Sequence, residues 1–158
     1  MNTKIEDLDL TKQAPHSPRD RFGGFAIIGR TVDKCRASIR GKLGEYHYDC
    51  PLDNQLFGFK GINGDQFKKE VASAKTYEEV ATWLQSAGNR KTTAEINEWS
   101  DKVEAARMKD VFAKKSQAEG QEVVEMCRKL GLDYETATLF EWLAADDQAS
   151  FEPHLAAK

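Results

Sequence analysis

The chain has 158 residues, of which 40% are hydrophobic and 31% charged, and its formal net charge is -3. This balance is typical of a folded domain with its own core, and it excludes an intrinsically disordered chain. No apolar run approaches the roughly 18 residues of a membrane-spanning helix, and residues 1–10 lack the apolar segment of a secretory signal. Three widely spaced cysteines without a CxxC pair favour a reducing compartment. We therefore expect a single cytoplasmic domain over residues 1–158, with no membrane partner.

Residues 1–30 are predicted to form an irregular arm. Pro15 and Pro18 fix φ and remove backbone donors, so this segment should lie extended on the body of the protein instead of forming a helix. The apolar run Phe25–Ile28 is short, and it fits either one strand or a buried extended stretch. The arm therefore leads into the first regular element near residue 30.

Apolar residues recur at helical spacing through residues 31–158 and predict an all-α body, a compact bundle of six or seven helices. Gly41 is expected to end the first helix, and Pro51 to open the second, which Gly61 would end. The apolar stripe of the first helix consists of Ile28, Val32, Cys35, Ile39 and Leu43.

Capping residues indicate where later helices begin. Thr76-x-x-Glu79 and Thr92-x-x-Glu95 are capping boxes, in which the hydroxyl and the carboxylate each accept a backbone N–H that the helix start leaves free. Asn63 with Gln66 predicts another start, and Asp133 predicts the cap of the last helix. Residues 92–130 would span about 58 Å as one helix, too long for a chain of this size. We therefore predict either a break near Gly120 or an overhanging helix that finds a partner.

Charge is unevenly distributed along the chain. Residues 12–42 hold eight basic and two acidic residues, whereas the chain from Glu119 onward holds nine acidic and three basic residues. The two regions could neutralise one another within the fold or across a dimer. Alternatively, the basic region could bind an anion, because a local cluster of charges sets the local potential.

The densest group of chemically active side chains lies in the Glu45–Asp53 turn. It contains Tyr46, His47, Tyr48, Asp49 and Cys50, and loops held by a rigid scaffold often carry sites. Cys50 would occupy the N-cap of the next helix, and with His47 it could form a thiolate–imidazole pair. The alternative is structural: the tyrosines pack inward, while His47 and Asp49 bind backbone groups of the turn.

A second group of candidate residues is basic. Arg19, Arg21 and Arg30 flank the entry to the first helix, and Arg36 and Arg40 are four residues apart on it. Like charges at this spacing repel one another, so an acidic group should face them. That group is either an anionic ligand, which guanidinium groups bind well, or an internal carboxylate. Asp33, Glu45, Asp49 and Asp53 are the acids closest in sequence.

Other site classes receive little support. His16, His47 and His154 are scattered without metal-binding spacing, so neither a metal nor a cofactor is predicted. Aromatic residues do alternate with arginines near Phe22 and Tyr46, but the acidic composition and the absence of a binding signature argue against a nucleic-acid partner.

Several motifs together resemble a bacterial family of domains of unknown function, number 5069. The resemblance is sharp over residues 8–57 and weaker toward Trp99 and Trp142–Asp147. It implies no activity, cofactor or catalytic residue, but it implies that the arm, the basic helix and the turn form one recurring unit. The motifs are Asp9–Lys12, Pro15–Arg19, Gly23-Gly24, Arg30, Asp33–Ala37 and Gly44–Asp53.

Two functions are compatible with these patterns. In the first, a pocket of the arm, the basic helix and the turn binds a small anionic or polar ligand through arginines, Tyr46, Tyr48 and Asp49. If the protein is an enzyme, His47 would be its general acid or base, because imidazole titrates near neutrality. In the second, the chain is a non-catalytic interaction or homo-oligomerisation module. The arginines assigned to the ligand are Arg19, Arg21, Arg30 and Arg36.

Overall fold

Helices are the only regular elements in residues 2–112 and 117–151, the part of the chain that this computed structural model describes. The prediction of an all-α fold is confirmed. Eight helices are present in these residues instead of six or seven, because the segment after Thr92 is divided more finely than its sequence indicates. They are α1 (Ile28–Arg40), α2 (Pro51–Lys60), α3 (Gly64–Ser73), α4 (Tyr77–Ser86), α5 (Thr93–Ala105), α6 (Met108–Val111), α7 (Gln117–Lys129) and α8 (Leu139–Phe151).

Helix α1 is buried through most of its length although its sequence is largely polar. It follows Ile27, a buried residue with a φ of 62°, and it ends at Gly41, whose φ of 69° suits glycine. Of the predicted stripe, Val32 and Cys35 are fully buried, but Ile39 is 44% exposed. The stripe prediction is therefore wrong for Ile39, because the last turn of α1 extends beyond the elements that cover its first turns.

The capping residues predicted for α3, α4 and α5 occupy the expected positions. The Glu95 N–H donates to the Thr92 hydroxyl and the Thr92 N–H to the Glu95 carboxylate, at 3.1 and 3.0 Å. Asn63 and Gln66 form the same reciprocal pair at the start of α3. At α4, the Glu79 N–H donates to Thr76, but the Glu79 carboxylate accepts from the N–H of Lys75. Each of these caps is local, which is why the sequence predicts it.

The long helical segment breaks earlier than predicted. Helix α5 ends at Ala105, and Gly120 lies inside α7, so the prediction of a break at Gly120 is wrong. The cause is a backbone pairing: the Met108 N–H donates to the Ala137 carbonyl, and the Leu139 N–H donates to the Ala106 carbonyl. These bonds extend the backbone at Arg107 and prevent α5 from continuing. Residues 114–116 of the apolar-poor stretch at 114–121 lie outside the described residues.

The chain divides into two compact units, Met1–Ser100 and Asp101–Lys158. In the first, residues of α2, α3 and α4 such as Leu56, Phe67 and Leu84 are completely buried. In the second, Met108 and Phe140 are buried, and the hydroxyl of Thr138 caps α8 by accepting the Glu141 N–H. The cap predicted at Asp133 is therefore wrong, since Asp133 instead accepts the N–H of Glu135 within a turn. A single domain over residues 1–158 stays a prediction.

The N-terminal arm lies extended along the first unit. Its backbone pairs with residues near the start of α4, where the Ile5 N–H donates to Lys75, and with the end of α1, where the Leu10 N–H donates to Lys42. Ile5 and Leu10 are buried by these contacts. Among the helices of residues 2–112 and 117–151, none has the length and apolar character needed to cross a membrane.

Candidate functional site

The carboxylate of Asp33 connects the arm, α1 and α4. It is completely buried, and its Oδ2 atom accepts the backbone N–H of His16 at 2.8 Å and contacts His16 Nδ1 at 2.6 Å. Its Oδ1 atom accepts the hydroxyl proton of Tyr77 at 2.5 Å. We call His16, Asp33 and Tyr77 the Asp33 cluster. Because both oxygens of Asp33 are occupied, this carboxylate orients its partners and is not itself open to a ligand.

His16 is the titratable member of the Asp33 cluster that reaches solvent, since its side chain is 30% exposed. The hydrogen bond that His16 donates to Asp33 raises the pKa of His16 above its ordinary value, and burial opposes this effect only in part. Because carboxylates only accept hydrogen bonds, Nδ1 carries the proton in the neutral ring. The other ring nitrogen, Nε2, forms no hydrogen bond with the described residues and keeps its lone pair.

Aromatic rings hold the imidazole in this position. The Tyr77 ring meets it edge-on at 4.8 Å between centroids, and Phe22 stacks on Tyr77 at 4.8 Å. Gly29 of α1 permits this packing, because a Cβ at that position would lie 2.8 Å from the Phe22 ring and 3.4 Å from His16. Burial and the bond to Asp33 also raise the pKa of the Tyr77 hydroxyl, which therefore remains a donor.

Arg30 lies next to the Asp33 cluster and links it to the Glu45–Asp53 turn. Arg30 is only 3% exposed. Its Nη1 atom lies 3.4 Å from the main-chain oxygen of His16, and its guanidinium lies 5.5 Å above the Tyr46 ring. Of the residues that the sequence assigns to a ligand, Arg30 and Tyr46 are therefore brought together, and Arg30 also lies close to His16. A cation over a tyrosine ring is itself a stabilising contact.

A second buried carboxylate, Asp53, holds the turn against α1. Its Oδ1 atom accepts from the Thr31 hydroxyl and from Lys34 Nζ, both at 2.9 Å, and its Oδ2 atom accepts the backbone N–H of Asp49 at 3.0 Å. Lys34 Nζ also donates to Cys50 Sγ at 3.3 Å. We call Thr31, Lys34, Cys50 and Asp53 the Asp53 cluster. The partner of the Cys50 thiol is thus Lys34, and no hydrogen bond joins Cys50 to His47.

Tyr48 and Asp49 make contacts that stabilise the turn. The Tyr48 hydroxyl donates to the Gly64 carbonyl at 2.7 Å, and burial raises the pKa of Tyr48. The Asp49 carboxylate accepts from the Asn54 amide at 2.9 Å. His47 is exposed and forms neither a hydrogen bond nor an ion pair with the described residues.

The remaining predicted arginines lie elsewhere on the first unit. Arg36 donates to the main-chain oxygens of Val71 and Ala74 at the C-terminal end of α3, and it pairs with Asp7 at 3.0 Å. Arg40 pairs with the same carboxylate at 2.8 Å. The acid that faces these two arginines is therefore Asp7 in the arm, which was not among the candidates from sequence. Arg19 is exposed, and Arg21 is half-buried.

The two cavities described for the first unit lie away from the turn. Two surface cavities, of about 480 and 430 Å³, flank the first residues of the arm. The smaller is lined by Arg36, Asp7 and Lys4 among others, and residues 45–53 line neither. Among the described residues, no three His, Cys, Asp or Glu side chains are grouped as metal ligands would be. His154 lies outside those residues.

Sequence reasoning did not identify the Asp33 cluster as a site. His16 appears there as an isolated histidine between two prolines, and Asp33 as one of several acids near arginines. The partners are 17 and 44 residues apart, so no spacing rule joins them. The sequence does carry one signal: Arg30, Asp33 and Lys34 occur within five consecutive residues of the first helix, directly after an apolar run.

A search of curated proteins finds no match to the chain. Residues 12–149 match the family described as "Domain of unknown function (DUF5069)". The matched range includes every residue of the Asp33 and Asp53 clusters, together with Arg30 and Tyr46. Because this match covers most of the sequence, the chain belongs to the DUF5069 family.

Proposed function

We propose that the first unit binds a small anionic ligand beside His16, and that His16 exchanges a proton with this ligand. The observation that carries the proposal is the Asp33–His16 pair: a buried carboxylate fixes one ring nitrogen and leaves the other unbound and near solvent. An imidazole that a carboxylate orients in this way is the arrangement used for general acid–base chemistry. His16 takes the role that the sequence suggested for His47.

The charges around His16 favour an anion. The buried ionic residues of α1 and α2 in this region are Arg30, Asp33, Lys34 and Asp53, and their formal charges cancel. Protonation of His16 adds a positive charge beside Arg30, although two further acids, Asp20 and Glu6, also act on the imidazole. Arg30 keeps its guanidinium next to the His16 main chain, so a negatively charged group beside the imidazole is attracted by both cations.

Tyr46 completes the proposed binding face. It is half-buried, and the Arg30 guanidinium lies 5.5 Å above its ring, so the turn forms the edge of the proposed face. Tyr48, Asp49 and Arg36 are left out of the proposal, since their polar groups already bind main-chain atoms, Asn54 or Asp7.

The test is a binding screen with small carboxylates and phosphate monoesters, read by thermal shift and then by calorimetry. A ligand that raises the unfolding temperature of the wild type should lose about tenfold or more in affinity with His16→Gln or Arg30→Met, which remove one charge-assisted contact each. His47→Gln is the matched control, because His47 is an exposed histidine of the adjoining turn. Equal loss in His16→Gln and His47→Gln, or no wild-type shift with any compound, would contradict the proposal.

A further inference from the structure

Tyr77 and His16 bind opposite oxygens of one carboxylate. The Tyr77 hydroxyl donates to Asp33 Oδ1 at 2.5 Å, and the His16 ring donates from Nδ1 to Asp33 Oδ2 at 2.6 Å. Asp33 is 0% exposed and Tyr77 is 1% exposed, so solvent does not screen the bond between them. The two donors therefore share the negative charge of Asp33, and a stronger bond from one leaves less charge for the other.

The two donors differ in whether they release their protons. Burial and the bond to Asp33 raise the pKa of Tyr77, so its hydroxyl stays protonated throughout the neutral range. The imidazole of His16 titrates near neutrality, and its side chain is 30% exposed. Of the two donors, His16 is therefore the one that exchanges a proton with solvent or with a ligand.

Charged and titratable groups face His16 from the three elements packed around it. They are Asp33 and Arg30 on α1, Tyr77 on α4, and Asp20 and Glu6 in the arm. The three acids favour the protonated ring through their negative charges. Tyr77 carries no charge, and its hydroxyl donates to Asp33. It therefore acts on the protonation of His16 through the carboxylate.

We propose that Tyr77 sets how firmly His16 holds its proton, acting through Asp33 as a positioning residue. The hydroxyl takes up part of the carboxylate charge, so the imidazole gives up its proton more readily than it would beside an unshared buried carboxylate. This inference deepens the proposed function and rests on it for the use of that proton. The coupling between Tyr77 and His16 is itself a property of the free protein.

The experiment is an NMR titration of the full chain, labelled with carbon-13 in its histidine rings, from about pH 5 to about pH 9. His16→Gln assigns the His16 signal by removing it. Tyr77→Phe should raise the pKa of His16 by about one, because Asp33 loses a competing donor. A purely structural role for Tyr77 predicts the opposite sign, since a loosened arm would expose His16 to water and lower its pKa toward 6.5. An unchanged or lowered pKa in folded Tyr77→Phe would overturn the inference.

Tyr48→Phe is the matched control, because it removes a tyrosine hydroxyl that donates to the Gly64 carbonyl at 2.7 Å. His16 should titrate in this variant as in the wild type, and an equal rise in both variants would count against a specific role for Tyr77. His47 is an internal reference in the same spectra, since it is exposed and should titrate alike in every variant.

A ring-fluorinated tyrosine at position 77 provides a second measurement that keeps the aromatic ring in place. Its phenol is a stronger acid and hence a stronger hydrogen-bond donor to Asp33, so the pKa of His16 should fall, opposite to the effect of Tyr77→Phe. No change or a rise would refute the coupling even where Tyr77→Phe does not fold. The titration uses the free protein, so a ligand screen without hits leaves its outcome unaffected.

Discussion

The Tyr77 hydroxyl donates a 2.5 Å hydrogen bond to Asp33 Oδ1 across 44 residues of sequence. The second oxygen of the same carboxylate binds the arm through the main chain and the ring of His16. One buried side chain therefore determines how the arm, α1 and α4 meet. A carboxylate in this position is favourable only while all of its partners are present, since an unpaired buried charge is strongly destabilising.

Asp33→Asn should lower the free energy of unfolding by about 3 kcal/mol, because the single amide oxygen cannot accept from both His16 and Tyr77. The measurement is urea denaturation followed by circular dichroism. Tyr77→Phe removes only one donor and should cost about 1–3 kcal/mol, whereas Glu45→Gln changes an exposed side chain and should be nearly neutral. An Asp33→Asn protein as stable as Glu45→Gln would refute the role given to Asp33.

Stability should depend on pH through His16. The hydrogen bond that His16 donates to Asp33, with smaller attractions from Asp20 and Glu6, raises the pKa of His16 above its ordinary 6.5. Protonated imidazole is then favoured by the folded state, so the stabilisation is complete below about pH 6.5 and is lost as the pH rises through the higher folded pKa. Urea unfolding at pH values from about 5 to about 9 should show this loss in the wild type and not in His16→Gln. Parallel profiles for the two proteins would be inconsistent with it.

Two glycines of the first unit should respond oppositely to alanine. At Gly88, with a φ of 56°, an added Cβ would overlap the Lys60 carbonyl oxygen, which also accepts the Asn89 N–H at 2.6 Å. Gly88→Ala should therefore destabilise by more than about 2 kcal/mol. Gly58 lies inside α2 with open space around it, so Gly58→Ala should stabilise by about 0.5–1 kcal/mol. Thermal unfolding of both variants tests the pair, and changes of the same sign would contradict it.

Arg36 and Arg40 share the carboxylate of Asp7 but should differ in importance. Arg36 also donates to two main-chain oxygens at the C-terminal end of α3, and its side chain is 16% exposed, against 56% for Arg40. Lysine cannot reproduce the several N–H donors of the planar guanidinium, so Arg36→Lys should lower the free energy of unfolding by about 2 kcal/mol. Arg40→Lys should cost less than about 1 kcal/mol, because its ion pair is at the surface. Chemical denaturation of both proteins measures the difference, and similar costs would show that the main-chain bonds of Arg36 contribute little.

The start of a helix was predictable where nearby side chains accept the free backbone N–H groups of its first turn. The boxes at Thr92 and Asn63 place an acceptor three residues from the N–H that it binds, and Pro51 and Gly41 suit the first turn and the end of a helix through their own backbone preferences. The same rule failed at Asp133, because Thr138 lies closer to α8 and forms the cap instead.

The sequence by itself determined the helical class and most helix ends of the first unit, since these depend on interactions within three or four residues. Only the tertiary structure decided which polar residues of α1 became buried, which acid faced Arg36, and where α5 ended. Those outcomes depend on partners far along the chain: Tyr77 for Asp33, Asp7 for Arg36, and the backbone around Ala137 for the break at Arg107. From sequence alone, a charged side chain is expected at the surface. It is buried only when folding brings it a partner whose interaction offsets the free-energy cost of removing the charge from water.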